Sequence, residues 1–324
     1  MLSFPSILDR IENKIRTLRF NDSPKSLYTP IEYILSLGGK RIRPALTLMA
    51  CNLYTDLPDN ALDAAAGWEV FHNFTLLHDD LMDKADMRRK KPTVHKVWNE
   101  NTAILSGDAM LIAAYRLIGQ TPPPYLKEVL DLFTTTALEI CGGQQYDMEF
   151  EQRDDVTEDE YLEMIRLKTA VMLAACLKTG AIIGNAPAGD AEKLYRFGLN
   201  IGLAFQLQDD LLDVYGDPAT FGKNIGGDIV CNKKTYLLIN ACKRADTAQR
   251  KLLDEWMGKA TFEPKEKIEL FTGLYNELGI KKLTEEKMEA YYLQAMNCLD
   301  SLSVPPEKLT VLKEVADRLM NRQY

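Results

Sequence analysis

The sequence predicts an all-α fold, a single large bundle of ten or more helices, and three observations support this prediction. Apolar residues recur at three- and four-residue spacing along most of the chain, which is the period of a half-buried helix. No run of alternating β-branched residues persists, and Gly and Pro fall mostly between the apolar stretches rather than at hairpin spacing. Hydrophobic residues make up 46% of the 324 residues and charged residues 27%, which is typical of a globular protein.

Ten stretches of the chain carry the helical period. In chain order they are Ile7–Leu18, Ala45–Leu53, Ala61–Met82, Ala103–Leu117, Leu126–Phe150, Tyr161–Ile183, Ala191–Val214, Lys265–Leu278, Lys282–Leu299 and Glu307–Met320. Thr157 and Glu160 form a capping box that opens the sixth stretch, and Gly184 ends it. The proline-rich segments 121–124 and 303–306 are predicted loops. Because no low-complexity linker and no internal repeat divides the chain, residues 1–324 are predicted to form one domain.

The charge and the cysteines limit the possible partners and compartment. The net charge is −8, whereas nucleic-acid binding usually needs a basic surface, so we expect no nucleic-acid partner. The six cysteines form no CxxC pair and are predicted to be reduced, intracellular core residues. The N-terminal segment lacks a basic region before its apolar residues, and the run Ala170–Leu177 is too short to cross a membrane. We therefore predict a cytoplasmic protein with no transmembrane segment.

Two aspartate clusters with the same spacing, D-D-x-x-D, lie near the ends of two predicted helices. The first comprises Asp79, Asp80 and Asp83, and the second Asp209, Asp210 and Asp213. The first and last carboxylates of each cluster are four residues apart, so they project from one helix face and repel each other. A divalent cation would offset this repulsion, and Mg²⁺ takes one or two carboxylates together with water and substrate phosphates. The spacing favours metal binding over a solvated acidic helix end.

Further polar residues extend these clusters along the same helices. Gln206 lies on the stripe that contains Asp209 and Asp213, and His72 lies on the stripe that contains Asp79 and Asp83. Polar stripes on long buried helices usually line a cavity.

Basic residues occur where an anion would need them. Lys40, Arg41 and Arg43 follow a Gly-Gly pair at a helix boundary, where backbone amides and cations together suit a phosphate. Taken alone, this motif is more typical of a surface turn. The other basic residues lie in three places. Arg88 and Arg89 follow the first cluster, and Lys168 lies with Thr169 on an apolar helix. Lys223 and Lys233 lie in the Gly-rich stretch after the second cluster. Each lysine alone is more typical of solvent exposure; together they form a set.

Five motifs resemble those of the trans-prenyl diphosphate synthase (polyprenyl synthetase) family in order and spacing. They read GGKRIRP, HDDLMDKADMRRKKPTVH, GGQQYD, LKT and FQLQDDLLDVYGDPATFGKNIGGDI. The resemblance implies the isoprenoid synthase type I fold around a central active-site cavity, and a homodimer. It implies a head-to-tail condensation of isopentenyl diphosphate with dimethylallyl, geranyl or farnesyl diphosphate through an allylic carbocation.

The resemblance also assigns the site residues. The six aspartates match ligands of two or three Mg²⁺ ions, for which Mn²⁺ is a possible substitute. Lys40, Arg43, His72 and Arg89 match the isopentenyl diphosphate site, and Arg88, Lys168, Lys223 and Lys233 match the allylic diphosphate site. Lys168, Thr169 and Gln206 match groups near the carbocation. Lys90 and Asn232 depart from the pattern, because the family often has Gly at both positions.

Product length is expected to depend on Phe74 and Thr75, five and four residues before Asp79. Helix geometry places Thr75 one turn below Asp79, whereas the family treats the Phe74 position as the floor of the product pocket. An aromatic there resembles short-chain enzymes, so we expect C15 to C20 products.

Three alternatives remain. The first is a terpene cyclase of the same fold, which would normally show only one D-D-x-x-D. The second is a catalytically silent helical partner subunit, which should have lost part of these motifs. The third is a helical scaffold with incidental acidic helix ends.

Overall fold

The computed structural model describes residues 2–20, 22–217 and 225–320 and is almost entirely helical there. Its α-helices, numbered in chain order, are α1 Phe4–Thr17, α2 Lys25–Ser36, α3 Ile42–Tyr54, α4 Leu62–Met82, α5 Val94–Val97, α6 Glu100–Ile118, α7 Pro123–Phe150, α8 Glu158–Ile165, α9 Val171–Ile183, α10 Ala188–Tyr215, α11 Gly227–Val230, α12 Tyr236–Arg244, α13 Thr247–Met257, α14 Pro264–Glu277, α15 Ile280–Asp300 and α16 Pro306–Met320. A 3₁₀ turn spans Pro58–Ala61, and a π-turn, Arg166–Ala170, joins α8 to α9. The all-α prediction is confirmed.

Several element boundaries follow from local chemistry that the sequence displays. The Thr157 hydroxyl accepts from the Glu160 amide while the Glu160 carboxylate accepts from the Thr157 amide, so the predicted capping box opens α8. Helix α9 ends at Ile183, as predicted, with Asn185 in the left-handed region at φ 60°. The prolines of the two predicted loops instead begin helices: Pro123 opens α7 and Pro306 opens α16, where a missing amide costs nothing.

Five helices and one hairpin of the described residues were not predicted: the helices are α2, α12, α13 and the four-residue α5 and α11. Helix α2 contains Pro30, and its buried apolar residues lie mostly in its second half, which hides the helical period. Helices α12 and α13 are short, although Asp246 and Gln249 form a capping box at the start of α13. Strands β1 Met87–Arg88 and β2 Lys91–Pro92 pair antiparallel.

The chain divides into two compact units. The first comprises Met1–Thr135, Ala175–Tyr195 and Ser303–Leu312, and the second Thr136–Ala174, Arg196–Leu302 and Lys313–Tyr324. The prediction of one domain over residues 1–324 stays a prediction.

The first unit is built around α4. Trp68 and Phe71 are buried on α4 and meet Phe133 with ring centroids 4.8 and 5.1 Å away. The Trp68 indole donates to the Thr179 hydroxyl at 3.1 Å, so its polar atom is satisfied inside the core. Gly180 lets α9 approach the backbone of α3, because a Cβ there would overlap the Thr47 carbonyl oxygen. Burial of each large aromatic contributes about 1.5–3 kcal/mol.

The second unit packs Leu253, Phe271 and Tyr275 in one apolar cluster, and Tyr161 with Tyr236 in another. All six cysteines are free thiols, but only Cys51 and Cys176 are buried, so the prediction of core positions is wrong for the other four. Across the described parts of the chain, no helix combines the length and apolar character needed to cross a membrane.

A buried ion pair fixes the entry to α3. Arg41, 5% exposed, precedes the helix with φ 50° and donates to Glu69 on α4 at 2.6 Å and to Glu12 on α1 at 2.8 Å. Glu69 is 2% exposed and also accepts from the Asn73 amide. The pair thus ties three helices of the first unit together.

We expect Glu69→Ala to lower the free energy of unfolding by about 3 kcal/mol, because it leaves the Arg41 guanidinium buried and partly uncompensated. Urea unfolding followed by circular dichroism measures the change. The matched control is Asp131→Ala, which removes an exposed pair with Lys127 and should change the free energy of unfolding by less than about 0.5 kcal/mol. Equal effects of the two variants would contradict a structural role for the buried pair.

Candidate active site

The first aspartate cluster lies at the C-terminal end of α4. Asp79 and Asp80 occupy the last turn and Asp83 caps the helix. The helix dipole places partial negative charge at this end, so three carboxylates here are unfavourable without cations. The three differ in burial: Asp80 is 3% exposed, Asp79 is half-buried and Asp83 is exposed.

Arg88 supplies one of these cations. Its Nε donates to Asp80 Oδ2 at 2.7 Å, and its Nη2 lies 3.7 Å from Asp79 Oδ2. Burial nevertheless outweighs Arg88 and raises the pKa of Asp80 above its usual range. The other oxygen of Asp80, Oδ1, is buried and has no hydrogen-bond partner within the described residues. An oxygen-rich, under-neutralised cluster with an orphaned carboxylate oxygen fits a hard cation such as Mg²⁺.

The clusters are not closed metal cages. Among residues 2–20, 22–217 and 225–320, no three His, Cys, Asp or Glu side chains converge closely enough to enclose a metal ion. Mg²⁺ usually keeps waters and is bound by one or two carboxylates plus substrate phosphates, so an open donor set is its normal protein site.

The hairpin β1–β2 carries Arg88 and Arg89. Its two-residue turn consists of Arg89 (φ 51°) and Lys90 (φ 63°), both in the left-handed region of a type I′ turn. Lys90 therefore adopts a backbone conformation that favours Gly, which is the residue that the resemblance predicts at this position. Tyr33 Oη anchors the hairpin through Pro92 O at 2.7 Å, and Thr93 Oγ1 anchors it through Ala85 O at 2.7 Å.

A glycine pair lets the loop before α3 approach Arg89. Gly38 and Gly39 adopt φ values of 75° and 145°, which favour glycine. A Cβ at Gly39 would lie 2.8 Å from Arg89 Nη2. Lys40 follows on this loop and is exposed. The structure thus brings the GGKRIRP loop against the hairpin.

Arg43 and His72 form a half-buried pair beside this loop. Arg43 Nη1 lies 3.2 Å from His72 Nε2, and the pKa of His72 is held well below its usual range by burial and by Arg43. His72 is therefore neutral at pH 7, with Nε2 as acceptor. Arg43 Nε is buried without a hydrogen-bond partner, and no described carboxylate forms an ion pair with this guanidinium. Burial lowers the pKa of Arg43; the charge of Glu69 acts against this shift and the charge of Arg89 adds to it.

The second aspartate cluster lies in the last two turns of α10. Asp210 is 7% exposed; its Oδ2 accepts from Tyr161 Oη at 2.5 Å and from the Tyr236 amide at 3.3 Å. Burial, with Asp228 nearby, raises the pKa of Asp210 to about 8. Asp213 Oδ2 accepts from the Asp228 amide at 3.0 Å, while Asp209 is half-buried.

Lys168 lies in the π-turn, a feature frequently found at functional sites. Its Nζ donates to Asp147 Oδ2 on α7 at 2.6 Å. Gly143 allows the turn to pack against α7, because a Cβ there would overlap the Lys168 backbone nitrogen, and Gly202 allows the approach of Ala170. These contacts explain the GGQQYD motif, which supplies both Gly143 and Asp147.

The remaining predicted residues lie as follows. Thr169 and Gln206 are half-buried, on the π-turn and on α10, and Lys233 is exposed after α11. Phe74 packs on Phe71 and His78, with ring centroids 5.5 and 4.8 Å apart. The Thr75 hydroxyl donates back to His72 O at 2.8 Å. Lys223 lies outside the described residues.

Sequence reasoning missed three supporting residues, Glu69, Asp147 and Tyr161, and it placed Arg41 at a phosphate site rather than in an ion pair with Glu69. Arg41 and Asp147 stand within the quoted motifs, so their positions were visible although their partners were not. Glu69 and Tyr161 lie outside these motifs, and their partners Arg41 and Asp210 are distant in the sequence, so no local spacing indicated either contact.

Comparison with known proteins defines the class to which this fold and site belong. The family model for polyprenyl synthetase matches residues 24–274, so the chain belongs to that family. It is therefore a prenyltransferase.

Two relatives and one solved structure are similar to the chain over nearly its whole length. The geranylgeranyl diphosphate synthase of Methanosarcina mazei is 38% identical, with 93% of this chain and 91% of that protein covered. The geranylfarnesyl diphosphate synthase of Natronomonas pharaonis is 36% identical, with 93% and 91% covered. A crystal structure of a geranylgeranyl pyrophosphate synthase matches with a TM-score of 0.93 and 44% identity over 100% of both chains.

We expect His72 to make the protein less stable in mild acid. Its pKa is lowered in the folded state, so below about pH 6.5 the unfolded chain binds a proton that the folded chain does not. The free energy of unfolding should fall by up to about 1.3 kcal/mol between pH 7 and 5.5 from this group alone. Denaturant unfolding of wild type and His72→Gln at both pH values measures the difference. A variant with the same pH dependence as wild type would contradict a neutral His72.

Gly142 and Gly143 are adjacent on α7 but differ in the space around them, so the same substitution at each can be compared. We expect Gly143→Ala to displace the π-turn and to lower the free energy of unfolding by about 1–3 kcal/mol, with loss of enzymatic rate. Gly142→Ala, whose Cβ would meet nothing within 4 Å, should instead stabilise the helix by up to about 1 kcal/mol. Thermal unfolding and rate measurements on both variants test this, and a harmless Gly143→Ala would exclude the close approach.

Proposed function

We propose that this chain condenses isopentenyl diphosphate with an allylic diphosphate, head to tail, to give a short-chain prenyl diphosphate. The observation that carries the proposal is the half-buried Arg43 guanidinium: its Nη1 lies against neutral His72, and its Nε is buried with no hydrogen-bond partner among the described residues. No described carboxylate pairs with it directly, although the charge of Glu69 acts on it from a distance. A buried donor without an acceptor is costly, and a diphosphate supplies the acceptor atoms that it lacks.

The isopentenyl diphosphate site consists of Lys40, Arg43, His72 and Arg89. The neutral His72 accepts a hydrogen bond from Arg43 and so orients the guanidinium, and His72 itself carries no charge at neutral pH. Arg89 reaches the same loop through the glycine pair. In this arrangement the arginines hold the diphosphate of isopentenyl diphosphate, and its carbon–carbon double bond is left to react.

The allylic diphosphate is bound through the six aspartates and through Arg88, Lys168, Lys223 and Lys233. Mg²⁺, two or three ions, stabilises the departing diphosphate when bound by these carboxylates. Arg88 pairs with Asp79 and Asp80, which fits a role in balancing charge on this cluster. Lys168, oriented by Asp147, and the half-buried Thr169 and Gln206 provide the polar groups for the developing carbocation.

The product is proposed to be C20, within the C15 to C25 range of the relatives. Geranylgeranyl diphosphate synthases stand among the similar proteins, and a geranylfarnesyl diphosphate synthase marks the upper end of the range. We further propose a homodimer in the cytoplasm. A terpene cyclase is not favoured, because the second cluster is a complete D-D-x-x-D and the GGKRIRP loop is present.

The direct experiment incubates purified protein with labelled isopentenyl diphosphate, Mg²⁺ and allylic primers of increasing length, and then sizes the products. We expect elongation to C20. Asp79→Ala and Asp209→Ala should each lower turnover by about 10²-fold or more, whereas the exposed control Asp131→Ala should leave it unchanged. No condensation with any primer would refute the proposal, and wild-type rates in either variant would exclude that aspartate as a ligand.

Phe74 and Thr75 give a test of chain length. If the Phe74 ring limits the product, Phe74→Ala should give longer products, because the ring would no longer fill the space beside His78. Thr75→Ala, at the next residue, tests the other position that is expected to limit product length. Products of unchanged length from Phe74→Ala would show that Phe74 is not the floor, and elongation by Thr75→Ala alone would assign that role to Thr75.

A further inference from the structure

Lys267 on α14 is a buried cation that the site described above does not use. Its residue exposure is 0%. Its Nζ donates to Asn232 Oδ1 at 2.6 Å and to Val230 O at 3.2 Å, and it lies 4.3 Å from the centroid of the Phe262 ring. Within the described residues no carboxylate lies within ion-pairing distance of it, so its contacts are dipoles and an aromatic face. Burying an ammonium costs several kcal/mol, and the two hydrogen bonds and the aromatic contact offset part of this cost.

The two acceptors belong to one short segment, residues 226–233. Val230 ends α11, where a cation complements the exposed carbonyls of the last turn. Asn232 follows with φ 54°, and its Nδ2 donates to Met257 O at 2.9 Å. At the other end of the segment Gly226 adopts φ 82° and packs under Ile268, since a Cβ there would lie 2.5 Å from Ile268 Cγ1. Neighbouring residues of α14 thus hold both ends of the segment.

The same segment reaches the second aspartate cluster. The Asp228 amide donates to Asp213 Oδ2 at 3.0 Å, and the Gly226 amide donates to Asp213 O at 2.6 Å. The Lys233 amide donates to Asp228 O at 2.9 Å. A continuous set of contacts therefore runs from Lys267 through segment 226–233 to Asp213 and Lys233.

We propose that Lys267 is a positioning residue for the allylic diphosphate side of the site, which it serves by fixing segment 226–233 through Val230 O and Asn232 Oδ1. The proposal rests on the proposed function, because Asp213 and Lys233 matter only if that substrate binds there. Asn232, where the family often has Gly, supplies one of the two acceptors, so the pairing depends on a residue at which this chain departs from the family pattern. Lys267 itself touches no residue of either aspartate cluster.

The central variant is Lys267→Met, which keeps the buried stem but removes both hydrogen bonds. We expect the KM for geranyl diphosphate to rise by about tenfold, the equivalent of one lost charge-assisted hydrogen bond, while the KM for isopentenyl diphosphate stays within about twofold. Lys267→Arg keeps the charge and donors and should recover part of the lost affinity. Asn232→Gly keeps the backbone conformation, removes one acceptor and should shift the same KM in the same direction.

The double variant Lys267→Met with Asn232→Gly should cost less than the product of the two single effects, because both remove the same hydrogen bond. Should Lys267→Met not fold, Asn232→Gly alone carries the test. Equal changes in both KM values, or a fall in thermal stability with unchanged KM values, would assign Lys267 a purely structural role and overturn the proposal. Wild-type protein that condenses no substrates would instead refute the proposed function, so the two failures are distinct.

Discussion

Each aspartate-rich helix end concentrates negative charge at the end of a helix where the backbone dipole is already negative. Asp79, Asp80 and Asp83 do so on α4, and Asp209, Asp210 and Asp213 on α10. Much of the surrounding structure compensates this one constraint. Arg88 is brought back by a hairpin to Asp80, and Asp210 is held by a phenol and a backbone amide. The charge that these groups leave unbalanced is what the proposed function assigns to Mg²⁺, and it forms part of the net charge of −8.

Unusual backbone conformations deliver the compensating groups. The hairpin turn at Arg89 and Lys90, the loop at Gly38 and Gly39, and the turn at Asn232 all use positive φ. Non-glycine residues at such φ values are strained, and such strain concentrates at functional sites. Arg89 is itself a predicted site residue, and Gly39, Lys90 and Asn232 each adjoin one, whereas Asn185 adopts a positive φ away from the predicted site.

The sequence predicted the helices better than it predicted what surrounds the site residues. Long apolar periods such as Ala61–Met82 and the capping box at Thr157 were specified by neighbours three and four residues away, and both are confirmed. Helix α2 was hidden by Pro30, and the hairpin by a charged turn without glycine. The Arg43–His72 pair joins residues 29 positions apart, and no local rule encodes that distance. Lys267 looks like a surface residue in the sequence PKEKIEL, because only the fold buries it.

The π-turn at Arg166–Ala170 bears on how sequences of this kind are compared. A π-turn contains one residue more than the α-helical turn that it replaces, so it is the backbone trace of a single inserted residue within a continuous helix. A homologous helix without that residue would rotate every later side chain by about 100° relative to the earlier ones. If a sequence with the π-turn and one without it were aligned without a gap, residues beyond the turn would be matched with residues on a different face of the other helix. Alignment of this helix therefore has to follow the backbone, with a one-residue gap placed between Arg166 and Ala170 wherever the turn is absent.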